Sequence, residues 1–184
     1  MEPRNIVIKG HLDLSFITEE LLEATVFIES NEVAYANGLW QELNIPMPLS
    51  YKAGTTTVHQ CFDTDCPAWA HKIKDMFPWL QHRLVTVNKL APGCFIPPHK
   101  DMFYRLKDMT AHVDTSNSVP VRINVLLQDK KYGHFLDVDN TALSDYRKGD
   151  YVYIHRGVIH SVVNVGFENR YTLQVTGLAD PGVL

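Results

Sequence analysis

Two runs, Asp150-Tyr151-Val152-Tyr153-Ile154-His155 and His160-Ser161-Val162-Val163-Asn164-Val165, separated by a break at Arg156-Gly157 and closed by Gly166, read as consecutive β-strands. Val, Ile and Tyr are enriched and glycine punctuates the ends, which are strand rather than helix signals. Working outward, runs of the same character occupy residues 83–90, 121–127, 134–138 and 170–177, with breaks at Pro92-Gly93, Pro97-Pro98 and Lys148-Gly149. Several short strands at close spacing predict a sandwich or barrel. Before about residue 80 the pattern is helical. Thr18 precedes Glu19, Glu20 and apolar residues at helical spacing, an N-cap followed by acids in the first turn. A second helical pattern spans 32–43. A third begins at Pro67 and carries Trp69, Ile73, Met76 and Phe77 on one side, a stripe read as core. The expectation is one domain, 1–184, mainly β with N-terminal helices: a helical support region over 1–82 and a β-core over 83–179.

Composition bounds the function. With 184 residues, 45% hydrophobic and 21% charged, the chain is long enough to bury one sizeable core. Seventeen basic against 21 acidic residues give a net charge of −4, no field to attract a phosphate backbone, so nucleic acid is excluded as a partner. No apolar run approaches the length of a membrane span, and the first residues lack a secretory signal's apolar stretch, so the expected location is cytoplasmic. Cys61, Cys66 and Cys94 are odd in number and read as reduced thiols. Cys61-x4-Cys66, with His59 nearby, lacks the second half of a zinc site.

Nine histidines are the unusual feature. A mononuclear iron(II) site of the facial type needs two His and one carboxylate, leaving positions open for co-substrate and oxygen. His-x-Asp followed by a distal His is its sequence form. With nine His and thirteen Asp, chance gives about 0.6 His-x-Asp occurrences. This chain has three: His11-Leu12-Asp13, His99-Lys100-Asp101 and His112-Val113-Asp114. The first precedes the helical region with no β framework around it. The third sits in a polar, loop-like stretch. The second follows a strand, a turn and an extended approach stiffened by Pro97-Pro98, and is preferred, with His112 and Asp114 as the rival pair. His160 and Arg170 complete an ordered set, the Arg being suited to a bidentate pair with a carboxylate.

Residues 84–179 resemble the iron(II)- and 2-oxoglutarate-dependent oxygenases, nearest the aspartyl/asparaginyl β-hydroxylase and free-proline hydroxylase branch. The resemblance lies in Asn88-Lys89-Leu90-Ala91-Pro92-Gly93, Pro98-His99-Lys100-Asp101, Arg122-Ile123-Asn124-Val125-Leu126-Leu127, Lys148-Gly149-Asp150 and His160-x3-Asn164-x5-Arg170. It implies a double-stranded β-helix (jelly roll, cupin-like). It further implies iron(II) held by His99, Asp101 and His160, and 2-oxoglutarate bound by Arg170 with help from Arg122. The reaction implied is hydroxylation of a C–H bond of an amino acid or a peptide or protein side chain, with O2 consumed and succinate and carbon dioxide released. Aspartyl/asparaginyl β-hydroxylases commonly lack the carboxylate that Asp101 supplies here. Thr176 stands where the nucleic-acid demethylases carry a second Arg. The competing expectation is a cupin-like metal or small-molecule binding protein without oxygenase turnover. The segment from Met102 to Pro120 reads as a loop beside the site, offering Tyr104, Arg105, Lys107, His112 and Asp114 to a substrate.

Overall fold

The structure, a computed structural model, describes residues 8–31, 39–46, 56–143 and 145–183. Two antiparallel sheets make up its frame. The larger runs in the order β1 (Gly10–His11), β9 (Asp150–His155), β6 (Val119–Leu126), β11 (Arg170–Ala179), β4 (Gln81–Leu90), β3 (Thr57–Phe62) and β2 (Ile28–Asn31). The smaller runs β5 (Phe95–Lys100), β10 (Ile159–Asn164), β7 (His134–Val138) and β8 (Thr141–Leu143). From β4 onward the chain crosses repeatedly from one sheet to the other: β4, β6, β9 and β11 lie in the large sheet, β5, β7, β8 and β10 in the small one. That winding is a double-stranded β-helix, or jelly roll.

The large sheet buries two faces of opposite character. Along β4, β6 and β11 one set of alternate residues is Val85, Val87, Ile123, Val125, Leu173 and Val175; all are buried in one cluster with Leu14, Ile17, Leu22, Ile73, Phe77 and Leu80. These come from the N-terminal segment, helix α1 (Glu19–Glu23), helix α2 (Ala68–Asp75) and the turn after it. The other alternate set, Thr86, Asn88, Arg122, Asn124, Thr172, Gln174 and Thr176, turns toward the small sheet. A second apolar cluster closes the space between the sheets, with Leu126, Val152 and Ile154 facing Leu136, Val138 and Leu143.

Local chemistry sets the element ends. Thr18 caps α1 by accepting from the Leu21 N–H, and Pro67 precedes the first turn of α2. Gly149, at φ +94°, holds the turn before β9; a Cβ there would come within 2.2 Å of the Leu12 oxygen. Glu23, at the end of α1, accepts from Tyr171 Oη at 2.7 Å and Asn169 Nδ2 at 3.1 Å, tying the helix to β11.

Several expectations change. The region before residue 83 is not helical support alone, because β1, β2 and β3 extend the large sheet. β1 has two residues and β2 four, too short to show periodicity, and β3 mixes polar and apolar residues on both faces. Of the helix expected over 32–43, residues 32–38 lie outside the described residues; residues 39–42 are helical. The Pro97-Pro98 approach is itself a strand, and the segment after Asp101 carries a helix, α3 (Tyr104–Met109), whose Leu106 packs on Phe103 and Leu178. No described helix is long and apolar enough to cross a membrane.

Candidate metal centre

His99 and Asp101 lie on and just after β5, and His160 lies on β10 beside it, the two histidines being direct strand partners. Between His160 and Val162 on β10 lies one residue, against two between His99 and Ile96 on β5. The extra residue falls at Pro97-Pro98, where missing N–H groups make a bulge inexpensive. A bulge re-aims the following side chain, and the His99 and His160 rings end 4.2 Å apart between centroids. Phe103, two residues beyond Asp101, is held at φ +54°, a left-handed conformation costly for a bulky residue and concentrated at functional sites.

One ligand atom from each of His99, Asp101 and His160 lies within 4.8 Å of the others, and this is the cluster of its kind among the described residues. All three are buried, at 8%, 6% and 2% exposure. His99 Nδ1 lies 2.8 Å from the Pro97 carbonyl oxygen and His160 Nδ1 lies 3.2 Å from that of Val158. A carbonyl only accepts, so each Nδ1 carries the proton and donates, leaving the Nε2 lone pairs turned toward Asp101. His99 Nε2 is 3.9 Å from Asp101 Oδ1 and His160 Nε2 is 3.8 Å from Oδ2. Burial, with the neighbouring His160, pushes His99 down to about 4; burial also lowers His160. Both rings are therefore neutral near pH 7, the form that binds a metal. Burial pushes Asp101 up, but Arg122, His160 and His99 outweigh it, and its pKa lies below the ordinary value.

Arg122, on β6, pairs through Nη1 with Asp101 Oδ1 and donates from Nε to Thr176 Oγ1 at 3.2 Å. Its guanidinium sits over the Phe103 ring. Asp101 Oδ2, by contrast, is buried with no hydrogen-bond partner among the described residues. An orphaned carboxylate oxygen facing two imidazole lone pairs is the donor set a divalent cation satisfies. Two His and one carboxylate fit iron(II) of the facial type, or a catalytic zinc.

The triad opens into a cavity of about 150 Å³ between the sheets, several times the ~30 Å³ share of one water molecule. Arg122, Asn124 and Arg170 line it from the large sheet, His160 and Val162 from the small one. Arg170 is 3% exposed, and its Nε and Nη2 have no partner among the described residues. Burial lowers its pKa, opposed by the hydrogen-bonded Tyr146 beside it. A guanidinium stays charged in proteins, so Arg170 presents an uncompensated cation to the cavity wall.

The remaining expected candidates lie elsewhere. His112 and Asp114 are exposed outside the cavity, and Asp114 accepts from the Ser116 N–H at 2.9 Å. His11, expected to have no β framework, is in β1 and contacts Asp150 at 2.9 Å. Tyr104 and Arg105 reach the cavity rim from α3. Asn124, buried with its Oδ1 unpartnered, and Tyr146 were not singled out from the sequence. Asn124 was accessible to it: Arg122-Ile123-Asn124-Val125 alternates polar and apolar residues, marking a polar inner face. Tyr146 reaches Arg170 only through the fold.

No family model matches the chain, and no curated protein matches its sequence. Its fold neighbours among solved structures include a predicted oxalate decarboxylase from Thermotoga maritima, 17% identical over 66% of this chain and 81% of that one, with a TM-score of 0.40. A cupin protein from Bacteroides fragilis is 16% identical over 57% and 71%, with a TM-score of 0.38. KdgF from a Halomonas species is 9% identical over 69% and 84%, with a TM-score of 0.40. Likeness at this level says nothing of activity.

Proposed function

We propose that the protein is an iron(II)- and 2-oxoglutarate-dependent dioxygenase that hydroxylates a C–H bond of an amino acid or of a peptide or protein side chain. The observation that carries this reading is Arg170. A buried guanidinium with two orphaned N–H groups, in the wall of the cavity that holds the His99–Asp101–His160 cluster, calls for an anionic ligand bound next to a metal. When bound, iron(II) and 2-oxoglutarate would supply the oxygen activation and oxidative decarboxylation that drive such a hydroxylation.

The chain's own residues have the following roles. His99 and His160 offer Nε2 and Asp101 offers Oδ2 to the metal. Arg170 binds the far carboxylate of the dicarboxylate through Nε and Nη2. Arg122, expected to assist the co-substrate, is assigned instead to holding Asp101 Oδ1, so that one carboxylate oxygen is left for the metal. Leu90, Ile96, Leu126 and Val162 give the cavity an apolar wall that excludes water. A cytoplasmic setting suits the three free thiols, and the net charge of −4 suits a small-molecule or peptide partner rather than nucleic acid.

An anaerobic titration tests the reading. Iron(II) and 2-oxoglutarate added together should give a weak visible absorption band, and Arg170→Met should remove it while leaving metal affinity intact. No band in the wild-type protein, with metal bound, would favour the second reading of a cupin-like binding protein without turnover. That reading, of metal or small-molecule binding, accounts for the fold and the triad and pairs Arg170 where the small molecule is an anion.

A further inference from the structure

Cys61 and Cys66 lie outside both the metal centre and the lining of its cavity. Cys61 is on β3, opposite Val87 of β4, and belongs to the apolar cluster under the helices. Cys66 follows the short 3-10 turn Asp63–Asp65. Their sulfurs are 3.2 Å apart, and Cys66 Sγ also lies 3.8 Å from the Val85 carbonyl oxygen. Both residues are buried, free thiols.

The four residues between them matter to the site. Phe62 and Asp63 line the cavity, as does Val85, so the pair lies directly behind the cavity wall. Asp63 is held at φ +38°, in the left-handed region, and the Arg105 guanidinium is 3.7 Å from the Phe62 ring centroid. The two thiols are also unequal. Their S–H···S contact, in which either sulfur can donate, holds the Cys61 thiol below its ordinary pKa, while the same contact and burial push Cys66 up. Cys61 is the attacking sulfur and Cys66 the resolving one.

We propose that Cys61 and Cys66 form a reversible disulfide when the protein meets a hydroperoxide, and that ring closure resets the Phe62–Asp63 wall of the cavity. The Cys61 thiolate attacks the terminal peroxide oxygen. The O–O bond breaks, the sulfur becomes a sulfenic acid, and the alkoxide (hydroxide from hydrogen peroxide) leaves and takes up the proton Cys61 released. Cys66 then attacks the Cys61 sulfur, the S–O bond breaks, and hydroxide leaves as water with the Cys66 proton. Two thiols lose two electrons and the peroxide gains them; an added dithiol reverses the reaction. The sulfurs must close from 3.2 Å to about 2.0 Å, and the ring they close contains Asp63 in its strained conformation. The chemistry at the pair does not depend on the oxygenase reading.

The test uses the full chain and hydrogen peroxide. The intact mass should fall by about 2 Da, peptide mapping should show Cys61 linked to Cys66, and dithiothreitol should restore the thiols. Cys66→Ser and Cys66→Ala should each block the link and leave a sulfenic acid on Cys61 that a 1,3-diketone traps; Cys94→Ser should change nothing. Amide exchange over residues 62–65 should shift on oxidation while that over β6 stays constant. A mass gain of about 16 or 32 Da without a link, an unchanged mass, or a link through Cys94 overturns the modification site. A link with unchanged exchange over 62–65 overturns the effect on the wall.

Discussion

Arg170→Met should strengthen the empty protein and weaken its ligand affinity, and the opposite signs are what make it informative. In the absence of an anion, Arg170 is a 3% exposed cation with two orphaned N–H groups. Exchanging an uncompensated buried charge for an apolar side chain of similar volume gains on the order of 1–4 kcal/mol. Losing the hydrogen bond with Tyr146 offsets about 1 kcal/mol of that. A net gain of about 0–3 kcal/mol follows, whose midpoint for a domain of this size is a rise of roughly 3–6 °C in Tm. With the dicarboxylate bound, the same two N–H groups make charge-assisted bonds of about 1.5–3 kcal/mol each. Desolvation of the ligand consumes part of this, and a loss of about 3 kcal/mol, or more than 100-fold in Kd, is expected. Urea unfolding of the metal-free protein reads the first effect. Calorimetric titration of 2-oxoglutarate into the manganese(II)-loaded protein, which avoids oxygen chemistry, reads the second. A metal-free protein made less stable by the substitution, with 2-oxoglutarate affinity unchanged, would show that Arg170 is a structural residue satisfied by the fold.

Four other substitutions probe the rest of the frame. Asp101→Ala should abolish cobalt(II) or iron(II) binding and cost about 2–3 kcal/mol, since it strands Arg122, which is one-fifth exposed and keeps Thr176. Asp114→Ala, at an exposed turn, should leave metal binding and the unfolding midpoint as in wild type; equal metal loss in both would overturn the choice between the two motifs. His134 is fully buried, and burial lowers its pKa below the ordinary value. The unfolded chain then takes up its proton first, so stability is complete above about pH 6.5 and falls as the pH drops below it. His134→Gln should remove part of that slope, measured as urea midpoints at pH 7.5 and 5.5. Tyr171→Phe deletes the 2.7 Å hydrogen bond to Glu23 and should cost about 1 kcal/mol at pH 7. Because that bond and the one from Asn169 hold the Glu23 carboxyl below its ordinary pKa, the cost should shrink as the pH falls through that lowered value. A pH-independent cost would point to packing instead.

The jelly-roll half was legible because its strands carry β-branched and aromatic residues between glycine breaks. The runs read at 134–138 and 150–155 coincide with β7 and β9, and the others shift by up to two residues at either end. What stayed hidden depends on contact rather than pattern. β1 is a strand only because Gly10 and His11 pair with Tyr151 and Asp150. β5 was masked by Pro97-Pro98, which reads as a breaker until the bulge opposite His160 and Val162 is seen to absorb it. At the site, the order His, Asp, His, Arg was visible along the chain, and the fold brings His99, Asp101 and His160 together. The partners that orient them were not visible. The Pro97 and Val158 carbonyls are backbone groups without a sequence signature. Nor does anything in the sequence show that Arg122 turns to Asp101 rather than to a ligand.

The polar cavity and the N-terminal segments explain one another. A sandwich ordinarily places its core between its sheets. Here Thr86, Asn88, Arg122, Asn124, Thr172, Gln174 and Thr176 all turn into that space, and apolar residues close it at its ends, around Leu126, Leu136, Val152 and Ile154 and around Leu84, Phe103, Leu106 and Leu178. Such an interior contributes little hydrophobic stabilisation per residue, and groups without a partner among the described residues, such as Asn124 Oδ1 and Arg170 Nε and Nη2, detract from it. The main core must therefore lie on the outer face of the large sheet, which needs a cover of its own. Leu14, Ile17, Leu22, Ile73, Phe77 and Leu80 supply it, while β2 and β3 widen the sheet they cover. Residues before Gln81 thus do more than buttress a finished barrel. They carry the burial that lets the barrel interior hold a charged, hydrogen-bonding site, and the one-residue alternation along β4, β6 and β11 allows the same strands to serve both faces.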